Sequence, residues 1–237
     1  MTSFDPAQVV LVTSQTPHLN DLLEGIVHIH AHCILHDGQL ATFLPPLSHE
    51  KLVRYWQAAL RQVEARERHI IVKLRKVSER TVAEDDISIA PVIYALDSQE
   101  KTLAPSLELN YEAWEVAGVV SLSMPPSETG PMRGLVEKLF TSPMHRRKGV
   151  ARTIMHELER VAKKEGRWNL LLDTTVGTDA ENVYPRLGYE KVGLVRNYGI
   201  QPETTNPKHA GKEGRGLPYK PGEFVDEVWF AKDLKKT

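Results

Sequence analysis

Leu139-Phe-Thr-Ser-Pro-Met-His-Arg-Arg-Lys-Gly-Val-Ala151 is the stretch on which the reading of this chain turns. The residues ahead of it, Leu135-Val-Glu-Lys-Leu-Phe-Thr141, follow a Gly/Pro turn and read as a strand that ends at Pro143. Behind it an amphipathic helix runs from about Gly149 to Lys164. A basic, glycine-containing turn therefore opens straight into a helix. Such a turn aims free backbone N–H groups at one spot, and the helix dipole adds positive potential there. The arrangement suits a pyrophosphate. Gly149 lets the backbone approach a phosphate and Ala151 keeps the next position small. Arg146, Arg147, Lys148 and Arg152 add cationic charge. Taken alone, the fragment reads equally well as a solvated basic turn, because it has neither the GxxxxGK[ST] nor the GxGxxG pattern.

Working outward, Trp114-Glu-Val-Ala-Gly-Val-Val-Ser-Leu122 is a strand ended by Pro125-Pro126. Downstream come a strand from Trp168 to Asp173, a short helix around Ala180 to Leu187, a strand beginning near Tyr189 and a last strand from Glu223 to Lys232. Upstream, Val9 to Thr13 reads as a strand, and Asn20 or Thr16 as the cap of a helix reaching about His36. Ala41 to Pro46 is extended and stiffened by two prolines. Ser48 caps a helix of roughly 49 to 66, with Glu50 at its positive end and Leu52, Val53, Trp56, Leu60 and Val63 facing inward. His69 to Leu74 is a strand, and Ala90 to Ala95 is another or a broken continuation of the sheet. This alternation predicts one α/β domain over residues 1–237 with inserted loops at about 76–90, 97–113 and 206–221.

Bulk properties narrow the classes. A chain of 237 residues with 41% hydrophobic and 26% charged residues has the composition of a folded protein with a sizeable core. A net charge of -1 provides no basic field for nucleic acid or a membrane surface. The single cysteine, Cys33, excludes an internal disulfide and a CxxC metal cluster. No apolar run approaches the roughly eighteen residues of a membrane span, and the first residues show no secretory signal. A cytoplasmic protein is expected.

Three segments carry a resemblance. Arg146-Arg-Lys-Gly-Val-Ala151 resembles the Q/R-x-x-G-x-G/A acetyl-CoA signature of the GNAT superfamily of N-acetyltransferases. Leu170-Leu-Leu-Asp-Thr174 is similar to that family's next strand, and Ala180-Glu-Asn-Val-Tyr-Pro-Arg-Leu-Gly-Tyr189 to its A-x-x-F-Y-x-x-x-G-F/Y segment. They lie in family order within residues 114–195. His36-Asp-Gly-Gln-Leu-Ala-Thr-Phe-Leu44, ahead of a helix containing Tyr55-Trp56, resembles the tabtoxin-resistance acetyltransferases, which inactivate small toxic amines. Val183, where the family favours an aromatic, and the inserted loops depart from these patterns.

The resemblance implies a mixed, mostly antiparallel, twisted sheet of about six or seven strands flanked by helices. It implies acetyl transfer from acetyl-CoA to a small amine by direct attack, with a protein or peptide acceptor, or a non-catalytic acyl-CoA sensor, as alternatives. Leu139, Phe140 and Thr141, with Arg146, Arg147, Lys148, Gly149, Val150, Ala151 and Arg152, would hold acetyl-CoA, and an N–H of Leu139 or Phe140 would polarise the thioester. Tyr184 would protonate the departing thiolate, although Pro185 beside it is expected to delay or kink its helix. Glu137, at the parity of Leu139, is the candidate base, with a water chain as the alternative. Asp173 matches a strand-end position and is expected to shape a loop. His36 and Tyr198 would line the acceptor pocket, and Trp56 would shape it or simply pack. His28, His32 and His36 share one helix face, but lack the Glu and second ligand set of a zinc helix, so no metal is expected. No nucleic acid or membrane partner is implied, and family members often pair as homodimers.

Overall fold

Two parallel strands that begin side by side and then part determine the architecture. They are β7 (Arg133–Thr141) and β8 (Asn169–Thr175), and they pair only at Arg133–Asn169, Gly134–Leu170 and Leu135–Leu171. Beyond Leu135 their facing edges are open. The cause lies in β7: Lys138 takes φ 56°, a left-handed conformation that non-glycine residues seldom adopt, and the register against the preceding strand slips between Val119 and Ser121. The inserted residue bends β7 away from β8.

The protein is seen in a computed structural model describing residues 9–80, 93–96, 99–102, 107–109, 112–204 and 219–236. The remaining strands of the main sheet are β1 (Val9–Val12), β2 (Arg68–Lys76), β5 (Leu107–Leu109), β6 (Glu112–Ser123), β9 (Glu190–Ile200) and β10 (Phe224–Asp233). Their order is β1-β2-β6-β7-β8-β10-β9, with short β5 also paired to β6. Every pairing except β7 with β8 is antiparallel. The expected sheet of six or seven strands is thus present as a path of seven.

Two apolar layers sandwich the sheet. On one face lie α1 (Leu19–Leu35) and α2 (His49–Glu64), whose Ile26, Ile29, Ile34, Leu52 and Trp56 are almost wholly buried against Ile70, Val72 and Val119. On the other lies α3 (Val150–Lys164), which buries Ile154, Met155, Leu158 and Val161 against Ile71, Val120, Leu122 and Phe230. Each large apolar side chain so covered stabilises the fold by roughly 2 kcal/mol. A 3₁₀ turn (Asp179–Asn182) and α4 (Val183–Arg186) cover the same face as α3 near β8.

Most predicted elements appear within a residue or two, with two differences. The cap of α1 is His18, not Asn20 or Thr16; the Thr16 hydroxyl accepts from the Thr13 N–H at 2.8 Å and closes a turn before the helix. The polar connection of 97–113 contains strand: β4 (Gln99–Thr102) pairs with β3 (Ile93–Leu96), which falls at the strand expected over 90–95, in a separate hairpin, and β5 adds to the sheet. Ser48 caps α2 as read, accepting from the Lys51 N–H, and the helix ends at Glu64, two residues before the expected 66. Much of the predicted loops of 76–90 and 206–221 lies outside the described residues.

Candidate active site

The parting of β7 and β8 opens a cleft of about 1010 Å³ that passes through the sheet. Its walls include β7 from Val136 to Thr141, Asp173, Thr174 and Thr175 of β8, Glu227 of β10, Asn197 to Ile200 of β9, Tyr184, and the α1–α2 segment from Gln39 to Leu44. The bulge reverses the side chains of β7. Leu139 packs into the layer under α3, whereas Phe140 enters the layer under α1, stacked on His30 at 4.7 Å between ring centroids. Strict alternation between Glu137 and Leu139 therefore fails, although both line the cleft.

At the α3 end the predicted turn is built on a buried network. The Ser142 N–H donates to the Ala117 carbonyl, and the Ser142 hydroxyl accepts from the Met144 N–H, forming a 3₁₀ turn over Pro143–His145. His145, wholly buried, bonds through Nε2 to Glu115 Oε1 at 2.6 Å, and Arg80 holds that carboxylate with two bonds of 2.8 and 2.7 Å. Burial opposes the charge of Glu115, but the bonds from Arg80 and His145 outweigh it and keep the carboxyl below its ordinary value. Arg147 and Gly149 then adopt left-handed conformations at φ 59° and 73°, and Gly149 caps α3. A Cβ on Gly149 would meet nothing within 4 Å, so the space over the helix N-terminus is open. Gly118 of β6 lets α3 sit close, because a Cβ there would lie 2.5 Å from Val150.

The opposite side of the cleft is acidic, with one lysine. Glu227 is 2% exposed and accepts from the Thr175 hydroxyl at 2.8 Å through Oε1. Burial, with the Asp173 charge adding to it, pushes its carboxyl up to about 7 despite the Thr175 bond. Asp173 opens onto the cleft, and desolvation there raises its carboxyl against the pull of Lys138. The Lys138 ammonium is lowered chiefly by burial, against the attraction of Glu137 and Asp173, and sits 5.8 Å from the Tyr55 ring. Tyr184 is buried against Phe230 and Tyr189; burial, then the Asp173 and Glu227 charges, push its phenol well above the ordinary value.

Comparison with known proteins fits this arrangement. Residues 56–189 match the model of the acetyltransferase (GNAT) family, more than half of the chain. The chain belongs to that family. Its fold is similar to that of the ribosomal-protein-alanine N-acetyltransferase from Brucella melitensis, at 14% identity and a TM-score of 0.56, covering 96% of this chain and 99% of that one. It is also similar to a Salmonella typhimurium protein assigned as an acetyltransferase and solved with its cofactor acetyl-CoA (13% identity, TM-score 0.53, 96% and 93% covered). A third similar structure is that of a protein assigned as a phosphinothricin N-acetyltransferase (13%, 0.56, 96% and 99%). This GNAT chain is thus an acetyl-CoA-dependent N-acetyltransferase. The residues present suit that co-substrate: an open helix N-terminus for the pyrophosphate, and an unpaired strand edge for the pantetheine amides.

The sequence-predicted residues of this GNAT site fall into three groups. Leu139, Phe140, Thr141, Arg146, Ala151, Tyr184, Tyr198 and Glu137 all line the cleft, while Arg147, Lys148 and Arg152 project from the exposed turn and first helical residues, and Val150 is buried beneath them. Arg146 is engaged by Asp37, so it ties the basic turn to the end of α1. Glu137 is held by the Arg68 guanidinium at 2.6 Å, which also reaches the Ser121 hydroxyl. His36 ends α1 and bonds Asp37 at 2.7 Å; it stands behind that carboxylate and is not a cleft-lining residue. Trp56 is a core residue donating to His30 Nδ1 at 3.1 Å. Asp173 faces the cleft and not a loop. Among the described residues no group of three or more His, Cys, Asp or Glu side chains is placed to hold a metal ion. Pro185 sits inside a single helical turn, where its missing N–H leaves no bond unmade, so Tyr184 is not displaced from the cleft.

Proposed function

We propose that this enzyme acetylates a small amine, and that the acceptor enters from the side of the sheet carrying α1 and α2. The observation that carries this reading is the enclosure of the acidic wall. Asp173 and Glu227 stand at the back of a cleft bounded by the Gln39–Leu44 segment on one side and Asn197–Ile200 on the other. Carboxylates attract a cationic amine, and walls on two sides favour a compact molecule over a chain running through. Acetyl-CoA lies on the α3 side, its pyrophosphate on the N–H groups of Gly149, Val150 and Ala151 with Arg147, Lys148 and Arg152 nearby. The backbone N–H of Leu139 or Phe140, on the open edge of β7, stabilises negative charge on the thioester oxygen, an effect on the order of 3 kcal/mol. Tyr184, a weak acid held in its neutral form, donates its proton to the departing sulfur. Tyr198 lines the acceptor side. With no helix among the described residues long and apolar enough to cross a membrane, and one buried free thiol, a cytoplasmic location belongs to the same reading, as does pairing of two copies.

The test is thiol release from acetyl-CoA in the presence of a panel of small amines and, separately, of short peptides with free N-termini or lysines. Turnover of small amines at kcat/KM well above that of any peptide is expected. Turnover confined to peptides would move the protein to the protein-acetylating branch, and tight acetyl-CoA binding without turnover would make it a sensor.

A further inference from the structure

Glu227 is a buried acid that nothing in the motif region announces. It lies on β10, at the register of Thr175 on β8 and Val195 on β9. Its Oε1 is fixed by the Thr175 hydroxyl, but Oε2 is buried without a hydrogen-bond partner. Buried carboxylate oxygens are almost always bonded, so an orphan on the wall of a cleft points to a donor supplied from outside the protein. Val228 and Phe230 pack under α3, so Glu227 and Trp229, at the other parity, belong to the opposite face. Tyr198, a ring neighbour of Trp229 at 6.2 Å, shares that acceptor face. Tyr184 stands among the α3-side residues.

We infer that Glu227 Oε2 receives the N–H of the acceptor amine and takes its proton, with Thr175 fixing the carboxylate. This rests on the acetyltransferase reading proposed above. The amine lone pair forms the bond to the thioester carbonyl carbon as the carbon–sulfur bond breaks. The electron pair leaves on sulfur, which Tyr184 protonates, while the amine proton ends on Glu227, from which water carries a proton back to the Tyr184 phenolate. Glu137 is the weaker choice, because the Arg68 guanidinium already satisfies its carboxylate. The charged and titratable groups around Glu227 are Asp173 of β8, Tyr198 of β9 and Tyr184 of α4. Across the gap stand Lys138 and Glu137 of β7, and Asp37 beyond α1, paired with Arg146. A carboxyl that titrates near 7 there is poised to exchange a proton at neutral pH.

The full-length protein is titrated by carbon-detected NMR of its glutamate carboxyls, alone and with 2-phenylethylamine, glycinamide or spermidine as probe amines. One carboxyl with a midpoint near 7, absent in Glu227→Gln and shifted to lower pH by a probe amine, is expected. Midpoints all below about 5, or no response of the Glu227 signal to any probe, overturn the assignment. With whichever probe is turned over, the kcat/KM profile should fall on the acid side of neutrality. Glu227→Gln should lose about 100-fold with unchanged acetyl-CoA affinity. Thr175→Val, which keeps shape and removes one stabilising bond, should move the acid limb to higher pH. An unchanged limb in both variants refutes the role of Glu227 and leaves the acetyltransferase reading standing. If no probe is turned over while acetyl-CoA binds, that reading fails on its own, and the NMR response still decides whether Glu227 meets the amine.

Discussion

Substitution of Gly149 tests the proposed pyrophosphate site separately from stability. The glycine caps α3 at φ 73°, and an added Cβ would meet no protein atom within 4 Å. Gly149→Ala therefore clashes with nothing in the free protein, but it forces alanine into a left-handed conformation at roughly 1–2 kcal/mol. That lowers Tm by about 2–8 °C for a chain of this length. Gly149→Asp tolerates the left-handed conformation better and offers a carboxylate to the open helix N-terminus, which stabilises by about 0.5–1 kcal/mol. For the aspartate the two terms nearly cancel, so Tm should change little. Binding should behave differently. If the pyrophosphate lies over Gly149, an aspartate carboxylate stands about 5 Å from a phosphate charge, where repulsion at an effective dielectric near 20 is about 3 kcal/mol. Titration calorimetry of acetyl-CoA should then show the aspartate variant weakened by about 100-fold at low salt, with partial recovery at high salt. The alanine variant should be weakened less, and independently of salt. Wild-type affinity in Gly149→Asp at unchanged stability would refute the placement of the pyrophosphate.

Three further outcomes follow from the geometry. Tyr184→Phe keeps the ring packed on Phe230 and Tyr189, so kcat should fall by about 100-fold with acetyl-CoA affinity and Tm nearly unchanged, read by steady-state kinetics and calorimetry. Burial lowers His28 to about 4, His30 to about 3 and His32 as well, so the unfolded chain binds more protons than the folded one below about pH 6.5. Unfolding free energy from urea titrations should therefore fall from pH 6.5 toward 4, by up to about 1.4 kcal/mol per pH unit per histidine, and His28→Leu should remove one such contribution. Glu115 has the opposite chemistry but the same sign: its carboxyl is held below the ordinary value, so the stability it contributes is present above about pH 4.3 and is lost as pH falls through the folded value. Glu115→Gln should flatten the stability curve in that lower window only, measured by the same titrations.

The sequence makes the local parts of this site legible and hides the parts that depend on a single dihedral or on distant strands. Strand, basic turn and helix between Leu135 and Lys164 are contiguous, and each announces itself by pattern, turn chemistry or charge. Nothing at Lys138 signals φ 56°, since lysine has no preference for that region. Yet that one residue parts β7 from β8, flips Leu139 to the α3 face and leaves Glu137 to Arg68. Parity counted across an unseen bulge misplaces the side chains beyond it. Glu227 is hidden for a different reason, since it lies far along the chain from the signature. Its only signal is an acid on the same strand parity as Val225 and Trp229, next to Asp226 and ahead of the apolar run Val228-Trp-Phe230. A charge at such a position must be exposed, paired or functional; burial with an unbonded oxygen removes the first two choices for Oε2. The division of labour also follows from the parting of the strands. Because the cleft passes through the sheet, a proton donor on the α3 face and a proton acceptor on the opposite face can serve one proposed reaction, Tyr184 at the departing sulfur and Glu227 at the amine. A closed β7–β8 ladder would leave Tyr184 and Glu227 on separate surfaces with no common substrate.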